Sequence, residues 1–359
     1  MSDGRREDRD VEEYPRVAAP LGWLVAAIAR ARRAAMGGGT RLPVPVISVG
    51  NLAVGGTGKT PLVRHLAGWL AEDGRHVAVL SRGYARPVAG RGVSRVSLRG
   101  QVEVASWEEA GDEPWLLAHG LPRASVYVAR SRVSAGRAAV GDGAEVLLLD
   151  DGFQHLGLAR DLDVVCLRGD EHRCRVLPAG PLREPRSALR AAGAGVLVLP
   201  SRARDAAGED SDAPEAGSGE LAEEQALAAR LRALLPADAT WATARVGPRS
   251  VDLPGAGRSP ASTLAGRAVG VVCAIARHER FVATVRALGA HVEAIHARRD
   301  HHVFGEEEID RLRKDLLWVT TEKDVPRLPR WFGAAVLRVG LHFTSGGDEL
   351  RARVREAAA

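Results

Sequence analysis

The sequence predicts an α/β protein, a parallel-sheet domain followed by a second, smaller α/β domain, and three observations carry that prediction. Short β-branched and aliphatic runs alternate with helical patterns along most of the chain. One run, Val44 to Val49, opens onto a glycine-rich loop and then a helix expected from Lys59 to about Leu70. Another, Glu145 to Leu149, ends in the adjacent acids Asp150 and Asp151. With 359 residues, 45% of them hydrophobic, the chain is long enough to bury two cores.

The loop holds Gly55, Gly56, Thr57 and Gly58. Its glycines let successive backbone N–H groups turn towards an anion, and the helix start adds the positive end of its dipole. Lys59 is placed to reach the β- and γ-phosphates of a nucleotide, and the Thr60 hydroxyl to ligate Mg²⁺. Pro61 suits a first helical turn, where its missing N–H costs nothing. The strict pattern has a glycine five residues before Gly58, where this chain has Ala53. The strand–loop–helix context still identifies a phosphate-loop NTPase-type domain that binds a nucleoside triphosphate. A glycine-rich turn without a ligand is the bland alternative.

An acid at the carboxyl end of a parallel strand is what such a domain uses to hold Mg²⁺ or its water shell; Asp150 and Asp151 fit that need, or a solvated Asp-Gly turn. The strand Val77–Leu80 ends at Ser81-Arg82-Gly83-Tyr84, where ligands of open sheets gather. Arg82 and Tyr84 suit substrate or nucleotide contact, or equally turn packing. Gly111-Asp112-Glu113-Pro114 starts a helix closed by Gly120. Asp112 there is either an N-cap, worth about 1 kcal/mol, or a catalytic acid.

Further along come a strand Leu162–Leu167, a Pro- and Gly-rich loop Arg175–Pro185, and a strand from Gly195 to Leu199. Arg183 and Glu184 in that loop are a surface pair or neighbours of the nucleotide. Residues 201–220 are acidic, lack an apolar pattern and read as a disordered insert before a helix from Leu221 to Leu235. The second α/β unit is expected to run through strand Val269–Ile275, helix Glu279–Leu288, strand His291–His296, helix Glu306–Lys314 and strand Leu316–Thr320. Between its elements lie Asp300-His301-His302, suited to proton transfer or phosphate contact, and Thr321-Glu322-Lys323-Asp324.

At the start of the chain, residues 1–17 are charged and aperiodic, a disordered leader. Leu21, Leu24, Val25 and Ile28 then recur at helical spacing beside Trp23, with Arg30, Arg32 and Arg33 following. That pattern fits a helix lying in a membrane interface, or one packed on the domain. The expected organisation is therefore leader 1–17, amphipathic helix 18–40, phosphate-loop domain 41–200, insert 201–220 and second domain 221–359.

Composition narrows the partners. Net charge is +5, too weak to argue for nucleic acid, although compatible with acidic substrates or an anionic membrane. The basic residues number 50, yet only Lys59, Lys314 and Lys323 are lysines, so Lys59 stands out. Cys166, Cys174 and Cys273 have no metal-ligand spacing and suit a reducing compartment. No apolar run is long enough to span a bilayer.

With these residues in view, the chain resembles the tetraacyldisaccharide 4'-kinases, the lipid A 4'-kinases of Gram-negative bacteria. The matching stretches are Val46–Pro61, Ser81–Tyr84, Gly111–Pro114, Leu149–His155 (LDDGFQH), Leu177–Pro185 (LPAGPLREP), Ala274–Phe281, Asp300–His302 and Thr321–Asp324. The resemblance implies phosphorylation of the 4'-hydroxyl of a tetraacylated glucosamine disaccharide 1-phosphate by ATP and Mg²⁺. The product is lipid IVA, made at the cytoplasmic face of the inner membrane, with no nucleic acid and no protein partner required. It implies that Gly55 to Thr60 bind the nucleotide, that Thr60, Asp150 and Asp151 lie at the metal, and that Asp112 pairs with a histidine of Asp300-His301-His302 as base. His301 is the choice over His302, which is left for the substrate. Gln154 and Glu184 match positions on the nucleotide side of the site, and Arg132 and His155 positions on the substrate side. Arg298-Arg299 and Arg277-His278 depart from the family pattern. The rival reading is a phosphate-loop switch ATPase or GTPase regulated by a protein partner; a weaker one is a kinase for a soluble sugar or nucleoside.

Overall fold

The computed structural model describes residues 19–36, 38–55, 57–83, 92–201, 218–275 and 277–359. The expected leader, Gly56, Tyr84 and residues 202–217 of the expected insert lie outside the described residues. The chain divides into two compact units. The first comprises Met1–Leu199, Ser218–Ala244 and Phe343–Ala359, and the second Pro200–Gly217 and Arg245–His342.

The first unit opens with helix α1 (Ala19–Ala35), strand β1 (Val46–Asn51), helix α2 (Lys59–Glu72) and strand β2 (Val77–Ser81). Then come β3 (Ser94–Leu98), β4 (Gln101–Val102), α3 (Trp107–Ala110), α4 (Asp112–Gly120), β5 (Ser125–Val128), α5 (Arg132–Gly141), β6 (Val146–Asp150), β7 (Leu162–Leu167) and β8 (Ala194–Pro200). Its strands lie in the order β8-β7-β1-β6-β2-β5-β3-β4. They are parallel from β8 to β5, and β3 and β4 close the edge antiparallel. Strands β1, β2, β6 and β7 are buried at every position, which is why they read as unbroken apolar runs. Leu62, Val63, Leu66, Ala67 and Leu70 form the buried face of α2. The register sets Val49 beside both Asp150 and Val164. The loop after β1 and the acids after β6 therefore leave the sheet at the same end.

Helix α6 (Ser218–Arg232) belongs to this unit, where Leu227, Leu231 and Leu235 pack with Leu197 and Leu189. The long strand β9 (Thr240–Leu253) carries the chain onward and pairs with β10 (Gly257–Pro260). The second unit adds β11 (Ala268–Cys273), α7 (His278–Ala287), β12 (His291–Ala297), α8 (Glu306–Asp310), β13 (Leu317–Thr321) and β14 (Ala335–Ser345). Here the order is β12-β11-β13-β14, all parallel, over a core of Val269, Val271, Phe281, Val285 and Val319. A final helix, α9 (Gly347–Ala357), returns to the first unit, where Arg351 meets Glu72 at 2.8 Å and Arg355 meets Asp73 at 2.6 Å.

Three local expectations differ from what is found. The helix from Glu306 stops at Asp310 rather than Lys314, because Leu312 N–H turns back to the Ile309 carbonyl and the Trp318 indole takes the Arg313 carbonyl at 2.8 Å. Asp112 is the first residue of α4, not its N-cap; Gly111, at φ 88°, occupies the cap. The helix expected at Leu221–Leu235 starts earlier and groups with the first unit rather than the second.

Candidate active site

The turn from β1 into α2 is shaped by glycine. Gly58 caps α2 at φ 78°, and a Cβ there would lie 2.6 Å from Val198 Cγ1. No other residue fits that close approach in the left-handed region. Lys59 follows at the first helical position. Its Nζ donates to Asn51 Oδ1 at 3.0 Å and lies 3.4 Å from Asp151 Oδ1. Asn51, the last residue of β1, also bonds the Ala53 carbonyl through Nδ2 and accepts from Gln154 Nε2 on its own carbonyl at 2.9 Å. Asn51 lies inside the matching stretch Val46–Pro61, but no local pattern singles it out.

Asp150 ends β6 fully buried. Ser81 Oγ donates to its Oδ2 at 3.3 Å, and Arg132 Nη2 reaches its carbonyl at 3.4 Å. Burial raises the Asp150 pKa to about 7, with the negative charges of Glu113 and Asp151 adding to the effect. The influence of Glu113 ties the start of α4 electrostatically to the acid pair. Asp151 sits at φ 53°, and burial pushes its pKa up, but Lys59 and Arg183 outweigh that and bring it below the ordinary range. Arg183 Nη1 donates to Asp151 Oδ2 at 2.7 Å, joining the LPAGPLREP loop to the acid pair.

Arginine charge crowds the same region. Burial lowers the Arg132 pKa to about 10, offset in part by Asp150. Burial, then the charges of Arg132, Arg160, Arg32 and Arg82, press His155 down to about 4, so its imidazole is neutral at pH 7. Glu184 is buried and accepts from Arg33 Nε at 2.6 Å. In the sequence Arg33 stands in a basic cluster with no visible link to Glu184.

The residues fit a bound triphosphate and its metal on their own chemistry. Thr57 Oγ1, Gln154 Oε1 and Arg132 Nε are buried and find no hydrogen-bond partner among the described residues. Such orphaned groups are costly unless a ligand or water meets them. No cluster of three His, Cys, Asp or Glu side chains among the described residues could cage a metal alone. Mg²⁺ takes only one or two carboxylates and draws its other ligands from phosphate and water.

The histidine pair lies in the second unit. His301, at φ 65°, is exposed; Arg327 Nη2 donates to its Nδ1 at 2.9 Å, and its Nε2 lies 3.6 Å from Asp300. Guanidinium only donates, so Nδ1 accepts and the neutral ring carries its proton on Nε2. Arg327 is buried against Asp324 at 3.4 Å, and Thr321 Oγ1 donates to Asp324 at 2.7 Å. Thr321 and Asp324 of the last matching stretch thus support His301 through Arg327. His302 instead binds Glu308 at 2.9 Å. Glu308 also takes His296 at 2.8 Å and Arg298 at 2.6 Å; burial raises its pKa, but these three contacts outweigh that and bring it to about 2.

A buried parallel sheet, a glycine cradle at a helix start, a lysine on the first turn and an acid pair beside it define a phosphate-loop enzyme. The family profile for Tetraacyldisaccharide-1-P 4'-kinase matches residues 15–358. The chain belongs to that family. It is 42% identical over 344 residues to the Tetraacyldisaccharide 4'-kinase of Anaeromyxobacter sp. (strain K), covering 89% of this chain and 83% of the relative. The enzyme of that name from Rhodospirillum rubrum is 37% identical over 322 residues, covering 88% and 85%. A crystal structure of LpxK from Aquifex aeolicus in complex with ATP superposes with a TM-score of 0.76 at 30% identity, over 96% of this chain and 99% of that one. The family assignment favours the kinase over the switch ATPase.

Proposed function

We propose that the chain transfers the γ-phosphoryl group of ATP to the 4'-hydroxyl of a tetraacylated glucosamine disaccharide 1-phosphate, giving lipid IVA in lipid A biosynthesis. The observation that carries this reading is the Lys59 ammonium held between Asn51 and Asp151 at the mouth of the Gly58 cradle, in a chain of this family.

Phosphoryl transfer passes through a loose transition state, so positioning and charge neutralisation dominate. Backbone N–H groups of Gly55 to Thr60 bind the phosphates, and Lys59 meets the charge that develops on the transferring group. Thr60 with Asp150 and Asp151 would hold Mg²⁺, which would supply neutralisation of the phosphate charge. Gln154 and Glu184 border the nucleotide, while Arg82, Tyr84, Arg132, His155 and His302 serve the substrate. As the oxygen–phosphorus bond to ADP breaks and the sugar oxygen bonds phosphorus, the hydroxyl proton leaves. Asp112 receives it. His301, its proton on Nε2 in the arrangement fixed by Arg327, supplies a donor rather than the acceptor.

The acyl chains of such a substrate stay in a bilayer. Helix α1 turns its small residues Gly22 and Ala26 inward and leaves Leu21, Leu24, Ile28 and Trp23 exposed, Trp23 by 80%. Large apolar side chains facing outward with arginines behind them support a helix seated in the cytoplasmic face of the inner membrane. No helix among the described residues is long and apolar enough to cross it. ATP consumption that requires the disaccharide lipid supports the kinase; consumption stimulated by a protein partner without lipid, or by a soluble sugar or nucleoside, overturns it.

A further inference from the structure

Helix α1 presents two different surfaces, and its inner one runs along the loops of the nucleotide site. Gly22 lets the helix approach the Val176 carbonyl, which a Cβ would meet at 3.0 Å, with Ala179 at 3.5 Å. A further eleven residues along the same face, Arg33 reaches two separate loops at once. Its Nε pairs with Glu184 at 2.6 Å, its Nη2 donates to the Phe153 carbonyl at 3.0 Å, and its guanidinium stacks over the Phe153 ring at 4.3 Å. Arg32 adds a bond to the Gln154 carbonyl at 3.2 Å. The Arg33 side chain is only 16% exposed and that of Glu184 only 7%, so this is a largely desolvated clamp.

The two loops it joins carry the groups described above. Glu184 adjoins Arg183, which holds Asp151. Phe153 lies between Asp151 and Gln154, and Gln154 bonds the Asn51 carbonyl beside the Lys59 contact. Gly50 leaves room for Phe153, since a Cβ there would lie 2.4 Å from Phe153 Cβ. A planar fork that pairs a carboxylate, takes a carbonyl and stacks on a ring can fix both loops together, which a lysine point charge cannot.

We propose that Arg33 is a positioning residue for the nucleotide site, so that the helix with the outward apolar face also sets the affinity for ATP. The inference rests on the reading of this site as the ATP site. It differs from that reading by assigning a function to a residue outside the phosphate loop and the acid pair.

The test is Mg²⁺-dependent ATP binding by the full chain in detergent without lipid substrate, followed by calorimetry, alongside melting curves. Arg33→Ala is expected to weaken ATP binding about tenfold, the scale of losing a charge-assisted contact. Arg33→Lys is expected to recover part of that loss. Arg30→Ala removes the same charge from the exposed side of α1 and is expected to bind ATP normally. In turnover assays, KM for ATP rises in Arg33→Ala while KM for the lipid stays at its wild-type value. Wild-type affinity in Arg33→Ala, or an equal loss in Arg30→Ala, overturns the inference alone. Failure of the unaltered protein to bind ATP overturns the functional reading and the inference with it. Should Arg33→Ala not fold, Arg33→Lys decides: weaker ATP binding at an unchanged melting temperature supports the proposal, and unchanged binding sinks it.

Discussion

Lys59 Nζ stands 3.4 Å from Asp151 Oδ1, and in the folded chain each charge offsets the other. The ammonium also donates to Asn51 Oδ1, and Lys59 with Arg183 holds the Asp151 carboxylate below its ordinary pKa range. Lys59→Ala is therefore predicted to lower kcat by about 10³-fold or more, the scale of a cation acting on a transferring phosphoryl group. His301→Ala is predicted to cost less, about 10²-fold, the lower end of general acid–base contributions. Steady-state kinetics of both variants checks the ranking, and near-equal losses contradict it.

Arg327 links the interior of the second unit to His301. Removing it leaves Asp324 buried without its cation, and Arg327→Ala is predicted to destabilise the second unit by about 3–5 kcal/mol. Urea unfolding measures this directly. A loss below about 1 kcal/mol, within the range of an exposed pair, contradicts the role given to the buried ion pair.

His155 supplies a pH dependence whose sign is fixed by its environment. Its folded pKa, near 4, lies below the ordinary 6.5, so the unfolded chain takes up the proton first as pH falls. The stability it contributes is complete above pH 6.5 and is lost as the pH falls towards 4. His155→Gln is predicted to flatten the fall of melting temperature across that window. Glu308, depressed from 4.5 to about 2, acts mainly below pH 4.5 and overlaps only the foot of this window. Parallel melting profiles for the two proteins contradict the assignment.

The outer face of α1 gives a membrane prediction. Replacing Trp23, Leu24 and Ile28 by serine is predicted to release the protein from anionic vesicles in a flotation assay, because the apolar area that drives interfacial binding is removed. Retained flotation contradicts a bilayer role for this face.

Much of the first unit is legible in the sequence because its signals are local. The β1 run, the glycine loop and the Lys59 helix start are contiguous, and the LDD acids follow their own strand directly. Element ends shift by a few residues, as at α8, where side-chain bonds from later residues end the helix. What the sequence does not show are pairings between distant segments. Arg33 and Glu184 are 151 positions apart, and Val198 closes on Gly58 from another strand. Strands β3, β4, β5, β9, β10 and β14 carry no such local signal; β5 has only four residues, and β9 interleaves arginine, glycine and proline with its apolar positions. The tautomer of His301 is likewise invisible without Arg327.

In the proposed reaction a triphosphate held by the first unit is spent on a glycolipid alcohol. Purified protein with γ-labelled ATP, Mg²⁺ and the tetraacylated disaccharide 1-phosphate tests it most directly, by following label onto the lipid. The expected result is one labelled phosphate per acceptor at the 4'-oxygen, lost in Lys59→Ala. Label that appears only as free phosphate, at a rate indifferent to the lipid, contradicts it.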